Sequence, residues 1–195
     1  MVQVYERNLE FYVNWVEQRL PQYALTKFIS MLPKKARVLD AGCAAGRDSR
    51  YIAEHGFSVT GIDISSNMIW EARRRASLAK LYIDFKAMDL EALNFNEESF
   101  DAVWCYGTLN HIRKADLKLA MKGFSRVLKK GGIIFIEAEE GEGEKEVERN
   151  EILGERIICA FFSQLELEEA LTTNGFEILS CIVDDNEINL FAKKL

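Results

Sequence analysis

Apolar residues recur at helical spacing through Leu9, Tyr12, Val13, Val16 and Leu20, and Pro21 then stands where a second helix can begin. Tyr23, Phe28, Ile29 and Leu32 continue that second helix until Pro33 closes it. Beyond this helical cap, residues 1–33, the period changes. Short apolar runs predict strands over 37–40, 57–62, 81–86, 100–106 and 133–136. Between them lie amphipathic stretches: 47–55, stopped by Gly56; 67–79, capped by Ser65 or Ser66; and 116–130, followed by Gly131. Ser163-Gln164-Leu165-Glu166 has the form of a capping box and opens a helix that stops at Gly175. Two strands, 176–183 and 188–193, close the chain around the polar turn Asp184-Asp185-Asn186.

Strands separated by helices predict an α/β fold, a doubly wound, mostly parallel sheet covered on both faces. The final pair shares a turn too short for a crossover, so those two strands must run antiparallel. One segment breaks the alternation. Residues 137–151 read EAEEGEGEKEVERNE, with eight glutamates against Lys145 and Arg149. The simplest reading is a mobile, solvated acidic loop. Its place after a strand also suits a substrate lid that favours a cationic acceptor, with 152–162 as a small cover.

Composition narrows the class. At 195 residues, 48% hydrophobic and 29% charged, the chain suits a single globular domain over 1–195. No apolar run approaches a membrane span, and residues 1–7 lack the apolar block of a secretory signal. Cys43, Cys105, Cys159 and Cys181 are scattered, with no C-x-x-C and no nearby histidine pair; reduced thiols, no bound metal and a cytoplasmic setting are expected. The net charge of −6 argues against a nucleic-acid partner. Arg73 to Arg75 and the Lys129-Lys130 pair read as solvated helix faces.

The chemistry concentrates in VLDAGCAAGRDSRYIAEHGFSVTGID, residues 38–63. In an open parallel sheet, ligands bind beyond the carboxyl ends of the strands, and small residues there let backbone approach the ligand. A dinucleotide fingerprint started at Gly42 meets Ala44 and Arg47 where glycines belong, and no Gly-Lys pair follows for a phosphate-binding loop. What fits is acid-x-G-x-small-x-G, carried by Asp40, Gly42, Ala44 and Gly46. Here the chain resembles the class I methyltransferases that use S-adenosylmethionine, from about Val38 onward. Asp63, 23 residues after Asp40, resembles the family's acid at the end of the second strand. Met88-Asp89-Leu90, FDAVWCYGTLNHI (100–112), VLKKGGIIFIE and NGFEILS follow in the family's order. Ala44 departs from the glycine more common there.

The resemblance implies a seven-stranded Rossmann-like sheet with an antiparallel last strand and two added N-terminal helices. It implies S-adenosylmethionine as cofactor and S-adenosylhomocysteine as product. Asp63 would accept from both ribose hydroxyls, or else cap the next helix. Asp89 would accept from the adenine amino group and the Leu90 amide would serve a ring nitrogen, beside Met88, with Ile64 or Met68 covering the ring. The Gly42 and Cys105 carbonyls would receive the ammonium of the methionine moiety, in the turn completed by Cys43. Arg47 would hold its carboxylate, or pair instead with Asp48 or a surface acid. Asp40 would steady the turn. Tyr106 and His111, with Tyr5, Tyr12 and Trp15 from the cap, would face the acceptor, although Tyr12 and Trp15 also fit a helix core and His111 a structural role. His55 reads as a capping residue. The expected partner is a small-molecule methyl acceptor at N or O, with alignment carrying most of catalysis. A protein or RNA acceptor and a catalytically silent cofactor-binding subunit are the competing readings.

Overall fold

The computed structural model describes residues 2–195. Three short helices come first: α1 (Val2–Arg7), α2 (Leu9–Glu17) and α3 (Gln22–Ser30). Helices α2 and α3 are the two that the periodicity predicts; α1 is an addition, separated from α2 at Asn8. Then come β1 (Arg37–Ala41), α4 (Arg47–Glu54), β2 (Ser58–Asp63), α5 (Ser66–Leu78), β3 (Asp84–Ala87) and β4 (Phe100–Cys105). The chain continues through α6 (Leu117–Val127), β5 (Leu128–Glu139), β6 (Glu144–Arg149), β7 (Glu155–Ala160), α7 (Gln164–Thr172), β8 (Phe176–Asp184) and β9 (Glu187–Lys194).

Seven strands form one sheet in the order β3-β2-β1-β4-β5-β9-β8. All neighbours are parallel except β9, which runs antiparallel to both β5 and β8. Asp185 and Asn186 both take positive φ, 46° and 63°, as a two-residue hairpin turn of that hand requires. Strand order reverses between β1 and β4, so the crevice of a doubly wound sheet lies beyond their carboxyl ends.

Successive side chains of a strand point to opposite faces, and this alternation sorts the core. Leu39, Val103, Ile134 and Ile136 pack on one face with Phe124 of α6 and Leu167 and Leu171 of α7. Val38, Trp104 and Phe135 pack on the other with Leu25 and Phe28 of α3 and Ile52 of α4. Trp104 anchors this second face, 4.3 Å from the Phe135 ring and 5.1 Å from Phe28. Full burial of a side chain of this size contributes roughly 1.5–3 kcal/mol.

Two expectations need correction. The helix expected over 116–130 ends at Val127, because Leu128 is already extended (ψ 137°), fully buried and paired with Phe100. Gly131 therefore lies inside an irregular start of β5 and does not stop a helix. The acidic segment is not a loop. Residues 137–139 complete β5, and β6 pairs with β7 as an antiparallel two-stranded sheet outside the main one. Ile157 and Cys159 of β7 pack with Ile152 against Val4, Tyr5 and Tyr12 of the helical cap. The glutamates alternate outward along β6, which hides a strand under an apparently solvated composition.

Candidate active site

The turn after β1 is built around close approach. Gly42 has φ +82°, and a Cβ there would lie 2.1 Å from Thr108 Oγ1, whose hydroxyl donates to the Ala41 carbonyl at 3.0 Å. Gly46, at φ +75°, leads into α4, and its absent side chain makes room for Phe85. Both glycines are thus required by the packing of the chain itself. Ala44 also sits at positive φ, 45°, the conformation that glycine adopts at least cost.

The amides of this turn bond within the protein. The Gly42 and Cys43 amides both donate to the Ile62 carbonyl at 2.8 Å, Gly46 N donates to Cys43 O at 2.8 Å, and Ala44 N donates to Asp63 Oδ2 at 3.0 Å. These four donors are committed inside the protein. The Gly42 carbonyl receives none of these bonds. A turn with its amides engaged and a carbonyl open suits a cationic group, not a phosphate, because phosphate binding needs free N–H donors.

Asp63 ends β2 and does two jobs in the backbone. Oδ2 accepts from Ala44 N, and Oδ1 accepts from Ser65 N at 2.9 Å. The cap of α5 is Ser65, which accepts from Met68 N at 3.2 Å, so Asp63 is not itself the N-cap. Burial pushes the Asp63 carboxyl up, while the two amides favour its charged form. Each of its oxygens retains acceptor capacity toward the crevice that it lines.

That crevice encloses about 210 Å³. Ile64, just after β2, and Met68 of α5 line it, and Met88, Asp89 and Leu90 line it from the segment after β3. The backbone places this last segment: Met88 N donates to Asp63 O at 2.9 Å, and Asp89 caps a single 3₁₀ turn by accepting from Glu91 N at 2.9 Å. A second, larger chamber of about 610 Å³ adjoins it. Tyr5, Tyr12, Gly42, Ala44, Tyr106, Gly107 and His111 line both compartments, so the two open into each other at the carboxyl ends of β1 and β4.

Asp40 and Cys43 lie beneath the turn. Asp40 is buried and accepts from Ser49 Oγ at 2.5 Å, tying β1 to α4. Burial and the nearby Asp48 push its carboxyl up to about 7. Cys43 and Cys105 are buried free thiols, both raised by burial. Arg47 takes the second of its two expected roles: Nε and Nη2 donate to Asp48 at 2.6 and 3.0 Å, and Nη1 donates to the Val16 and Arg19 carbonyls, both at 2.9 Å. Four of its five N–H groups are engaged in pinning the end of α2 to α4. Asp48 also accepts from Trp104 Nε1 at 3.0 Å.

The cap supplies one wall of the larger chamber. The Tyr5 ring lies edge-on to Tyr12 at 4.8 Å and to His111 at 5.3 Å, with its hydroxyl 3.4 Å from His111 Nε2. His111 is held down to about 4, chiefly by burial and then by Arg149, so it is neutral at pH 7. Its Nδ1 is buried without a hydrogen-bond partner among the described residues. Trp15 lines the chamber with the Arg19 guanidinium 3.6 Å above its ring, and Tyr106 stacks on Trp104 at 6.0 Å. His55, far from these, bonds the Tyr51 carbonyl through Nδ1 at 2.7 Å at the end of α4.

Thr108 in the crevice and Phe161 and Glu187 in the chamber were not singled out from the sequence, and Glu137, Glu139 and Arg149 were read only as part of the acidic segment 137–151 that suits a lid. The signal for Glu137 was available, since it stands near the carboxyl end of β5, beside the crevice. Glu187 had none, because a hairpin brings it there, and the strand that places Arg149 was not anticipated. Among the described residues no group of three or more His, Cys, Asp or Glu is placed to hold a metal ion, and no helix is long and apolar enough to cross a membrane.

Known proteins share this arrangement. A family model described as a methyltransferase domain matches residues 38–132. The chain is 37% identical over 131 residues to an S-adenosyl-L-methionine-dependent Diels-Alderase of Talaromyces variabilis, covering 65% of this chain and 44% of that protein. It is 34% identical over 102 residues to a ubiquinone biosynthesis O-methyltransferase of Coxiella burnetii, covering 52% of this chain and 43% of that protein. The chain therefore spans less than half the length of these curated relatives. A solved S-adenosylmethionine-dependent methyltransferase from Methanosarcina mazei superposes with a TM-score of 0.78 at 26% identity, over 86% of this chain and 96% of that one. Residues 38–132 thus match a methyltransferase domain, and the whole chain has the fold of the S-adenosylmethionine-dependent methyltransferases.

Proposed function

We propose that the protein transfers the methyl group of S-adenosylmethionine to a nitrogen or oxygen of a small molecule. The observation that carries this reading is the junction of the two compartments. A narrow crevice with Asp63 and Asp89 on its walls meets a chamber of about 610 Å³, and Tyr106, Gly107 and His111 line both. A chamber of this size falls in the range of small-ligand sites.

Bound in the crevice, S-adenosylmethionine supplies an electrophilic methyl carbon with a neutral thioether as leaving group. The residues of the chain bind and align. In this reading Asp63 accepts from the ribose hydroxyls, Asp89 and the Leu90 amide meet the adenine edge, and Ile64 and Met68 cover its faces. The open Gly42 carbonyl, with that of Cys105, takes the ammonium group, which agrees with the committed donors of the turn. Asp40 holds the turn against α4 without touching ligand, and Arg47 acts by positioning α2. Tyr5, Tyr12, Trp15, Tyr106 and His111 surround the acceptor and hold it in line, an effect that can supply roughly 7–11 kcal/mol.

The Talaromyces relative, a Diels-Alderase by name, shows that a cofactor-dependent member can carry another activity, so the test must separate binding from turnover. Incubation with methyl-labelled S-adenosylmethionine and a fractionated metabolite extract is expected to label a small-molecule fraction. Tight S-adenosylhomocysteine binding with no label in any small-molecule, protein or RNA fraction would leave a cofactor-binding protein without methyl transfer.

A further inference from the structure

We propose that the methyl acceptor is an amine that enters protonated, and that the buried carboxylate of Glu137 receives its ammonium group and removes one proton before nitrogen attacks. This narrows the methyl-transfer reading to one substrate class and rests on it.

Glu137 lies on β5 and is only 4% exposed, yet it lines the larger chamber and has neither an ion pair nor a side-chain hydrogen-bond partner among the described residues. The groups around it come from several elements. Glu139 on β5 and Glu187 on β9 disfavour its charge, and Tyr106 lies close enough after β4 to feel it. Only the Gly107 amide and Arg149 of β6 favour the charged form. Arg149 is already paired with Glu139 at 2.6 Å, and Arg47 with Asp48. Burial therefore dominates and pushes Glu137 up to about 8. His111 is neutral and adds no positive charge. A buried acid whose one nearby counter-charge, Arg149, is already paired with Glu139 is a strong receptor for a cation brought by the ligand.

Other acceptor classes fit less well. A carboxylate or phosphate acceptor would meet Glu137, Glu140 and Glu187 as like charges. A neutral alcohol would leave these acids without a function. The aromatic walls do not select an ammonium by themselves, because Arg19 already covers Trp15 and Arg47 lies 5.5 Å from the Tyr106 ring centre.

The step balances as follows. A protonated amine has no lone pair, so one proton passes from nitrogen to a Glu137 carboxylate oxygen, giving a neutral amine and a neutral acid. The nitrogen lone pair then forms the N–C bond as the C–S bond breaks, and that electron pair stays on sulfur. The methylated product carries the positive charge that the sulfonium gives up, and Glu137 is left as the neutral acid, its resting form at neutral pH, the one net proton having passed to water when the ammonium bound. An acid that titrates near 8 is matched to this exchange at neutral pH.

The test uses the full chain saturated with S-adenosylhomocysteine. Benzylamine, 2-phenylethylamine and tryptamine are titrated calorimetrically beside their alcohol and carboxylate counterparts, in wild type and in E137Q. The amines are expected to bind at least tenfold more tightly than the alcohols, with proton release, and E137Q is expected to erase that preference while S-adenosylhomocysteine affinity stays unchanged. Alcohols or carboxylates that bind as tightly as amines, or an amine preference that survives E137Q, would overturn the proposal and leave methyl transfer standing. Failure of S-adenosylhomocysteine itself to bind would remove both.

Discussion

Asp63→Ala tests the proposed cofactor site most directly, because the residue is assigned a ligand role there and also ties the backbone. In the proposed binding mode the substitution removes acceptors for two ribose hydroxyls. Hydrogen bonds to a charged group contribute about 1.5–3 kcal/mol each, and water recovers part of that in the open crevice. The expected loss in S-adenosylhomocysteine affinity is therefore roughly tenfold to a hundredfold. The same change strips Ala44 N and Ser65 N of their acceptors, at 3.0 and 2.9 Å. At about 1 kcal/mol for each partly hydrated amide, the fold loses about 2 kcal/mol, a Tm decrease of roughly 4–8 °C for a chain of this size. Calorimetric titration and thermal unfolding on the same samples read the two effects separately. Asp63→Asn, which keeps a carbonyl for one amide, should recover part of the Tm and little of the affinity. A lower Tm with affinity within twofold of wild type would show that Asp63 only ties the turn to α5, and the ligand role would fall.

Other substitutions separate the remaining roles. Gly42→Ala forces a Cβ to 2.1 Å from Thr108 Oγ1 at φ +82°, and is expected to abolish S-adenosylhomocysteine binding; adding Thr108→Ala should restore a measurable fraction, and no restoration would place the cause elsewhere. Arg47→Met removes an ion pair whose side chains are only 13% and 9% exposed, with an expected cost of about 3 kcal/mol. S-adenosylhomocysteine affinity, measured below the lowered Tm, should change less than threefold, and a larger loss would return Arg47 to the cofactor's carboxylate. Glu137 ionises near its ordinary value, 4.5, when unfolded and at about 8 when folded. Its burial therefore costs nothing below the unfolded value, costs progressively more as pH rises between the two, and reaches its full penalty above about 8. Glu137→Gln should raise Tm more at pH 8 than at pH 5, and an equal shift at both would show that the carboxyl is not perturbed.

The central strands β1, β4 and β5 were legible because each carries a short apolar run buried on both faces. The capping box at Ser163 was legible for a local reason, and both of its reciprocal bonds form. The helical cap was visible as two periodic stretches, while α1 was too short to show a period. The pair β6 and β7 was not legible. One strand is nearly all glutamate, lysine and arginine, and its apolar support comes from β7 and from Tyr5 and Tyr12 far away in sequence. The turn after β1 lies between these cases. Its small residues announced a tight bend, but packing against Thr108 and Phe85 demands the glycines, and only tertiary contacts reveal that.

Electrostatics connects the turn to the chamber. Where a phosphate site presents amides, this crevice presents acceptors: the Gly42 carbonyl, Asp63 and, beyond them, Glu137 and Glu187. A protonated acceptor must come within about 4 Å of a sulfonium before transfer. At an effective dielectric constant near 20, two like charges at that distance repel by about 4 kcal/mol. The arginines facing the chamber, Arg19, Arg47 and Arg149, cannot offset this, since they only add positive charge. The buried carboxylate of Glu137 can, which gives the acidic wall a reason to sit where it does. An uncharged acceptor would meet no such repulsion. Salt screening then offers a further distinction. Amine affinity carried by Glu137 should change little between about 0.05 and 0.5 M salt, because a pair made by a buried carboxylate is poorly screened. An affinity that falls steeply with salt would place the amine outside, on the exposed glutamates of β6.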